Sequence, residues 1–160
     1  MATFSYAIIG TGAVGGYYGA LLQRAGFEVH FLFHSDYGHV RKHGLRIDSK
    51  NGNFRLPKVN AYRRARDLPR CDVVIVTLKA TANGLLPRIL PFVSKPRGTV
   101  VLLQNGFGAE ASVARIVPGR EIIGGMSFIC SNKVGPGHIR HLDYGLVTLA
   151  PYCARGKGRI

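Results

Sequence analysis

A chain of 160 residues is long enough for one domain that buries roughly 70% of the surface its unfolded form exposes, so no disulfide or metal staple is needed. Its three cysteines, Cys71, Cys130 and Cys153, are odd in number and form no CxxC pair, which excludes a disulfide framework and fits the reducing cytoplasm. Lys and Arg number 22 against 8 Asp and Glu, a formal charge of +14 that points to anionic partners.

The first element in chain order is the nearly unbroken apolar run "YAIIG" (Tyr6 to Gly10), read as a strand buried on both faces. From Ala13 to Ala25 small and apolar residues recur at helical spacing, and Gly26 is placed as the stop. A second strand is expected at Glu28 to Phe33, with two more of the buried type at Asp72 to Leu78 and Thr99 to Gln104. Between those two, "TANGLLPRILPFV" reads as a short helix or helical turns interrupted by Pro87 and Pro91. A helix at Ala109 to Ile116 precedes the strand "EIIGG" (Glu121 to Gly125), and "HIRHL" and "LVTLAP" flank "DYG" as a hairpin closed by a short turn. Strands alternating with helices define an α/β chain with a mainly parallel, doubly wound sheet and a C-terminal hairpin over residues 1–151, followed by a basic tail at 152–160. No charged segment precedes an apolar stretch with a cleavage site, and no run approaches about 18 apolar residues, so neither a signal peptide nor a membrane span is expected.

Gly10, Gly12 and Gly15 form G-x-G-x-x-G between the first strand and the first helix. In that setting the first glycine makes the tight turn, the second admits backbone to a pyrophosphate, and the third lets helix pack on strand. Thr11, Ala13 and Val14 complete the loop, whose backbone N–H groups and helix dipole need no charged side chain to hold phosphate. The end of the second strand chooses between dinucleotides. His34 and Ser35 stand there, with Arg41 and Lys42 following on a helix, and these donors favour the 2′-phosphate of NADP(H). Asp36 at the strand tip would instead favour the free ribose of NAD.

Two other features carry charge or ligand chemistry. His39 and His43 stand four apart, and His138 and His141 lie in "HIRH"; neither pair has a third ligand well placed, so they read as surface histidines and no metal is expected. The segment Arg55 to Arg70, "RLPKVNAYRRARDLPR", carries six basic residues and one acid. With no aromatic interleaving or helix-turn-helix pattern it reads as a solvated surface, and a nucleic-acid partner is the lesser alternative.

"GTGAVGGYYGALLQRAG", "HVRKHGLRI", "VVIVTLKAT" and "LLQNGFGAE", in this order and spacing, resemble the ketopantoate reductases (2-dehydropantoate 2-reductases), over Met1 to about Pro151. The resemblance implies an NADPH-dependent oxidoreductase acting on the anionic 2-oxo acid ketopantoate, on the route to pantothenate and coenzyme A. It implies that Lys79 lies beside the cofactor and the reactive cleft, and that Asn105 reaches the nicotinamide end and the substrate, which makes both candidate catalytic residues. Members of this family commonly carry an Arg at the end of the second strand, where His34 stands here. They also have a second, helical domain with a general-acid lysine and a substrate-binding glutamate, and this sequence ends before either. A truncation, a shifted reading frame or a stand-alone cofactor-binding module are the readings this leaves, with homo-oligomerisation or a missing helical domain expected to cover apolar surface near Phe107, Phe128 and residues 138–150.

Overall fold

The computed structural model describes residues 4–152; the basic tail and Cys153 lie outside the described residues, apart from Tyr152. One nine-stranded sheet runs through it. Its elements are β1 (Ser5–Ile9), α1 (Ala13–Arg24), β2 (Glu28–Leu32), α2 (Tyr37–His43), β3 (Leu45–Ser49), β4 (Phe54–Leu56), β5 (Asn60–Tyr62), β6 (Cys71–Val76), α3 (Leu90–Val93), β7 (Ser94–Leu102), α4 (Ala109–Ile116), β8 (Glu121–Gly135) and β9 (His138–Pro151). Short 3-10 segments occupy Ala65–Asp67 and Ala80–Arg88.

The strand order is β4-β3-β9-β8-β7-β6-β1-β2-β5. All neighbours run parallel except β3 with β4 and β8 with β9. The order reverses at β1: β2 is added on one side and β6 on the other, which opens a crevice beyond the carboxyl ends of these strands. Every element expected from the apolar runs is present, with ends shifted by a residue or two, save that β7 begins irregularly at Ser94 and β8 continues ten residues past Gly125.

Two apolar layers sandwich the sheet. On one face Ala7, Ile9, Val74 and Val76 pack under Leu86, Leu90 and Val113 of the crossover segments. On the other, Ile8, Val29 and Phe31 pack under Tyr17 and Ala20 of α1. Successive strand residues point to opposite faces, so a strand covered on both sides must be apolar throughout, as "AII" and "VVIV" are. Each Val or Ile among them, once fully buried, contributes about 1.5–3 kcal/mol. α1 lies close to the sheet because it is glycine-rich on that side: a Cβ at Gly19 would stand 2.5 Å from Phe31 Cε1 and 2.8 Å from Ile8 Cγ1.

The hairpin differs from the sequence expectation. "HIRHL" and "LVTLAP" belong to one strand, β9, which pairs antiparallel with β8 through a turn at Pro136 and Gly137. "DYG" is a bulge: Tyr144 takes φ 62°, Gly145 φ 126°, and the register skips between Phe128 and Ile129. The carbonyls of Asp143 and Tyr144 both accept from His141 Nε2, at 3.1 and 3.0 Å, while Nδ1 lies 2.9 Å from the Ser49 hydroxyl. His141 is therefore a buried histidine stacked on Tyr17, and not a surface one. His138 pairs with Asp48 at 2.7 Å.

Candidate functional site

The crevice at the reversal of strand order is a cleft of about 620 Å³. Gly10, Thr11 and Gly12 form its floor after β1, His34 and Ser35 its wall after β2, and Thr77, Leu78 and Lys79 the opposite wall after β6. Leu85 and Ile89 close one side with apolar surface.

The three loop glycines stand in three different environments. Gly10 has φ +102°, and a Cβ there would lie 2.6 Å from Leu78 N, so the turn out of β1 admits no side chain. A Cβ at Gly15 would clash with the Gly10 carbonyl and with Thr77 Oγ1, two atoms already hydrogen-bonded to each other. At Gly12 a Cβ would meet nothing within 4 Å. That glycine is not required by the protein's own packing, and the space beside it opens to the cleft. The first hydrogen bond of α1 runs from Gly16 N–H to the Gly12 carbonyl, 2.9 Å, so the preceding N–H groups are left at the helix N-terminus. They form an anion cradle with the positive end of the helix dipole behind it.

Charge in the cleft is unbalanced. Arg63, Lys79, Arg88 and Lys133 face it, against one acid, Asp36. Asp36 is already engaged: its carboxylate accepts from Lys133 Nζ at 2.8 Å, the Gly137 N–H at 3.0 Å and the Ser35 hydroxyl at 3.1 Å. Burial works to raise its pKa, but these bonds outweigh burial and hold it below the usual carboxylate range. Asp36 thus ties the start of α2 to the β8–β9 turn.

The predicted site residues are not all brought together. Gly10, Thr11, Gly12, His34, Ser35 and Lys79 line the cleft; Gly15 sits behind it, and Ala13 and Val14 enter α1 without lining it. Arg41 and Lys42 stand outside, because α2 buries Val40 and leaves its last turn in solvent. Asn105 borders a second cavity of about 200 Å³ with Asn83, Gln104 and Glu110. Lys79 and Asn105 still follow adjacent strands, since Val76 pairs with Leu102. Gln104 Nε2 joins their loops by donating to the Leu78 carbonyl at 2.6 Å and Asn83 Oδ1 at 2.7 Å.

Arg63, Arg88 and Lys133 escaped sequence reasoning. Their cue was only charge, spread over three distant segments. The basic segment does not form one stripe: Arg64 pairs with Asp67 at 2.8 Å, Arg66 lies over the Phe92 ring at 4.9 Å, and Arg63 faces the cleft. No group of three or more His, Cys, Asp or Glu suited to a metal occurs among the described residues, and no helix there is long and apolar enough to cross a membrane.

A glycine cradle at a helix N-terminus, at the switch point of a doubly wound, mainly parallel sheet and beside a net positive cleft, defines a domain of the Rossmann type. The family model described as Ketopantoate reductase PanE/ApbA matches residues 6–153, and the chain belongs to that family. A 2-dehydropantoate 2-reductase from Nostoc sp. is 58% identical over 147 residues, 92% of this chain and 46% of the relative. One from Archaeoglobus fulgidus is 31% identical, over 94% of this chain and 48% of the relative. Among solved structures, the 2-dehydropantoate 2-reductase of Geobacter metallireducens superposes with a TM-score of 0.90 at 42% identity, over 98% of this chain and 52% of that one. The chain therefore spans about half the length of the relatives it matches.

Proposed function

We propose that this chain is the NADPH-binding domain of a cytoplasmic oxidoreductase that reduces ketopantoate to pantoate. The observation that carries the reading is the cleft itself, where an open glycine cradle and a cationic lining meet at the carboxyl ends of β1, β2 and β6. The residues present fit a dinucleotide: the space over Gly12 takes the pyrophosphate, and Leu85 and Ile89 offer an apolar bed for the adenine ring. Bound NADPH supplies the hydride. Lys79 presents a cation at the far rim, where it attracts and orients an anionic 2-oxo acid, and Asn105 on the neighbouring strand end offers an amide to the nicotinamide and the substrate.

Reduction of a ketone also needs a proton delivered to the new alkoxide, and a positioned acid contributes about 10²–10⁴-fold. The remaining half of the relatives, or a second copy of this chain, has a surface to pack on: Phe107, Met126, Phe128, Tyr144 and Leu146 are all more than half exposed. Calorimetric titration of the 160-residue chain tests the reading, with NADPH binding at one site per chain as the expected result. With ketopantoate added, NADPH absorbance should not fall at an appreciable rate. Turnover within the ordinary range of about 1–10³ per second would place the proton donor inside this chain, with Lys79 the first candidate. Absence of NADPH binding would overturn the proposal.

A further inference from the structure

We infer that Arg63, at the end of β5, is the residue that selects a 2′-phosphorylated dinucleotide over its unphosphorylated counterpart. The inference rests on the dinucleotide reading of the cleft and adds to it the residue that decides which dinucleotide enters.

In an open α/β sheet the adenosine ribose sits beyond the carboxyl end of the second strand, and the groups there meet whatever its 2′ position carries. β2 delivers His34 and Ser35 to that place. Neither is a permanent cation. Among the described residues the one carboxylate lining the cleft, Asp36, is held by Lys133, Gly137 and Ser35, which bind it toward the β8–β9 turn. The wall would hold no dedicated charge if β2 were its only source.

β5 supplies one. It runs parallel to β2 on the outer edge of the sheet, with Leu32 opposite Tyr62, and Phe33 N–H donates to the Tyr62 carbonyl at 2.8 Å. The strands therefore end in register, which sets Arg63 opposite Phe33, the residue before His34, and both His34 and Arg63 line the cleft. Arg63 is exposed and makes no hydrogen bond or ion pair among the described residues, whereas Arg64 is committed to Asp67 and Arg66 to Phe92. A guanidinium at this point has its fork of donors uncommitted. A phosphate monoester dianion is the group that such a fork reads best, in bidentate fashion. Lys79 serves the opposite wall, which follows β6.

The test is calorimetric titration of the 160-residue chain and of Arg63→Gln and Arg63→Lys with NADPH, NADH and adenosine 2′,5′-bisphosphate. For Arg63→Gln the affinities for NADPH and for the bisphosphate should fall about 10- to 100-fold, the size of a lost charge-assisted bond. NADH affinity should change less than about threefold, and Arg63→Lys should recover part of the loss. Melting curves matching the parent would confirm that the exposed side chain does not hold the fold. Equal loss for NADPH and NADH, or no loss for either, overturns the assignment and leaves the dinucleotide reading standing. A parent chain that binds neither overturns both.

Discussion

Substituting Gly12→Asp separates what the protein needs for folding from what it needs for its ligand. Gly12 is the N-cap of α1, with φ −79° and ψ −154°, an extended conformation open to any residue, and a Cβ there meets nothing within 4 Å. Aspartate is among the preferred N-caps, since its carboxylate accepts from the N–H groups of the first turn; the gain over glycine is a few tenths of a kcal/mol. The folded state should therefore be as stable as the parent or slightly more so. Binding should move the other way. The carboxylate would occupy the space over the cradle, use the N–H groups that a pyrophosphate requires, and place a negative charge about 5 Å from another. At an effective dielectric constant of about 20 that repulsion alone is about 3 kcal/mol, or roughly 100-fold in affinity. Gly15→Ala is the contrast, because its methyl group would clash with the Gly10 carbonyl and Thr77 Oγ1 and should destabilise the chain itself. Thermal melts followed by NADPH titration read both effects. A folded Gly12→Asp that binds NADPH as the parent does would refute the cradle as the phosphate site.

Two further predictions concern charge. Lys133→Met releases the Asp36 carboxylate beside the ribose wall and should lower the NADPH-to-NADH affinity ratio by roughly tenfold, measured by parallel titrations. Asp72 joins β1 to its neighbours: Lys95 Nζ donates to it at 2.8 Å, and Ser5 donates through its N–H at 3.0 Å and its hydroxyl at 2.7 Å, which lowers its pKa to about 2. Because the folded-state value lies below the unfolded value of about 3.9, this stabilisation is complete above both and disappears as pH falls between them. The difference in urea midpoint between the parent and Asp72→Asn should hold at neutral pH and close between about pH 4 and pH 2.

The parallel core was legible because its signal is local. "YAIIG", "DVVIVTL" and "TVVLLQ" are apolar at every position, and such a run has few homes other than a strand covered on both faces. The glycine loop was legible for a like reason: G-x-G-x-x-G between a strand and a helix is a backbone geometry written in residue types that lie next to one another. Family membership was legible too, since it was carried by contiguous motifs.

The tertiary structure decided what depends on distant segments meeting. "DYG" carries the composition of a turn, yet two long strands pair straight past it: the bulge turns the Asp143 and Tyr144 carbonyls onto buried His141, whose other ring nitrogen meets the hydroxyl of Ser49, 92 residues away on β3. β3, β4 and β5 are three to five residues long and were not foreseen, because segments so short take their conformation from the strands they join. Asp36 and Arg63 show the same division at the site. Asp36 lies one residue beyond Ser35 in sequence, but Lys133, 97 residues away, takes its charge. Arg63 lies 29 residues from His34 and becomes its neighbour only because β5 adds to the sheet beside β2. Backbone conformation and apolar period are properties of adjacent residues, and so the sequence by itself determined the core and the cradle. The charge at one point in a cleft is a sum over strands, and only the packed sheet could decide it.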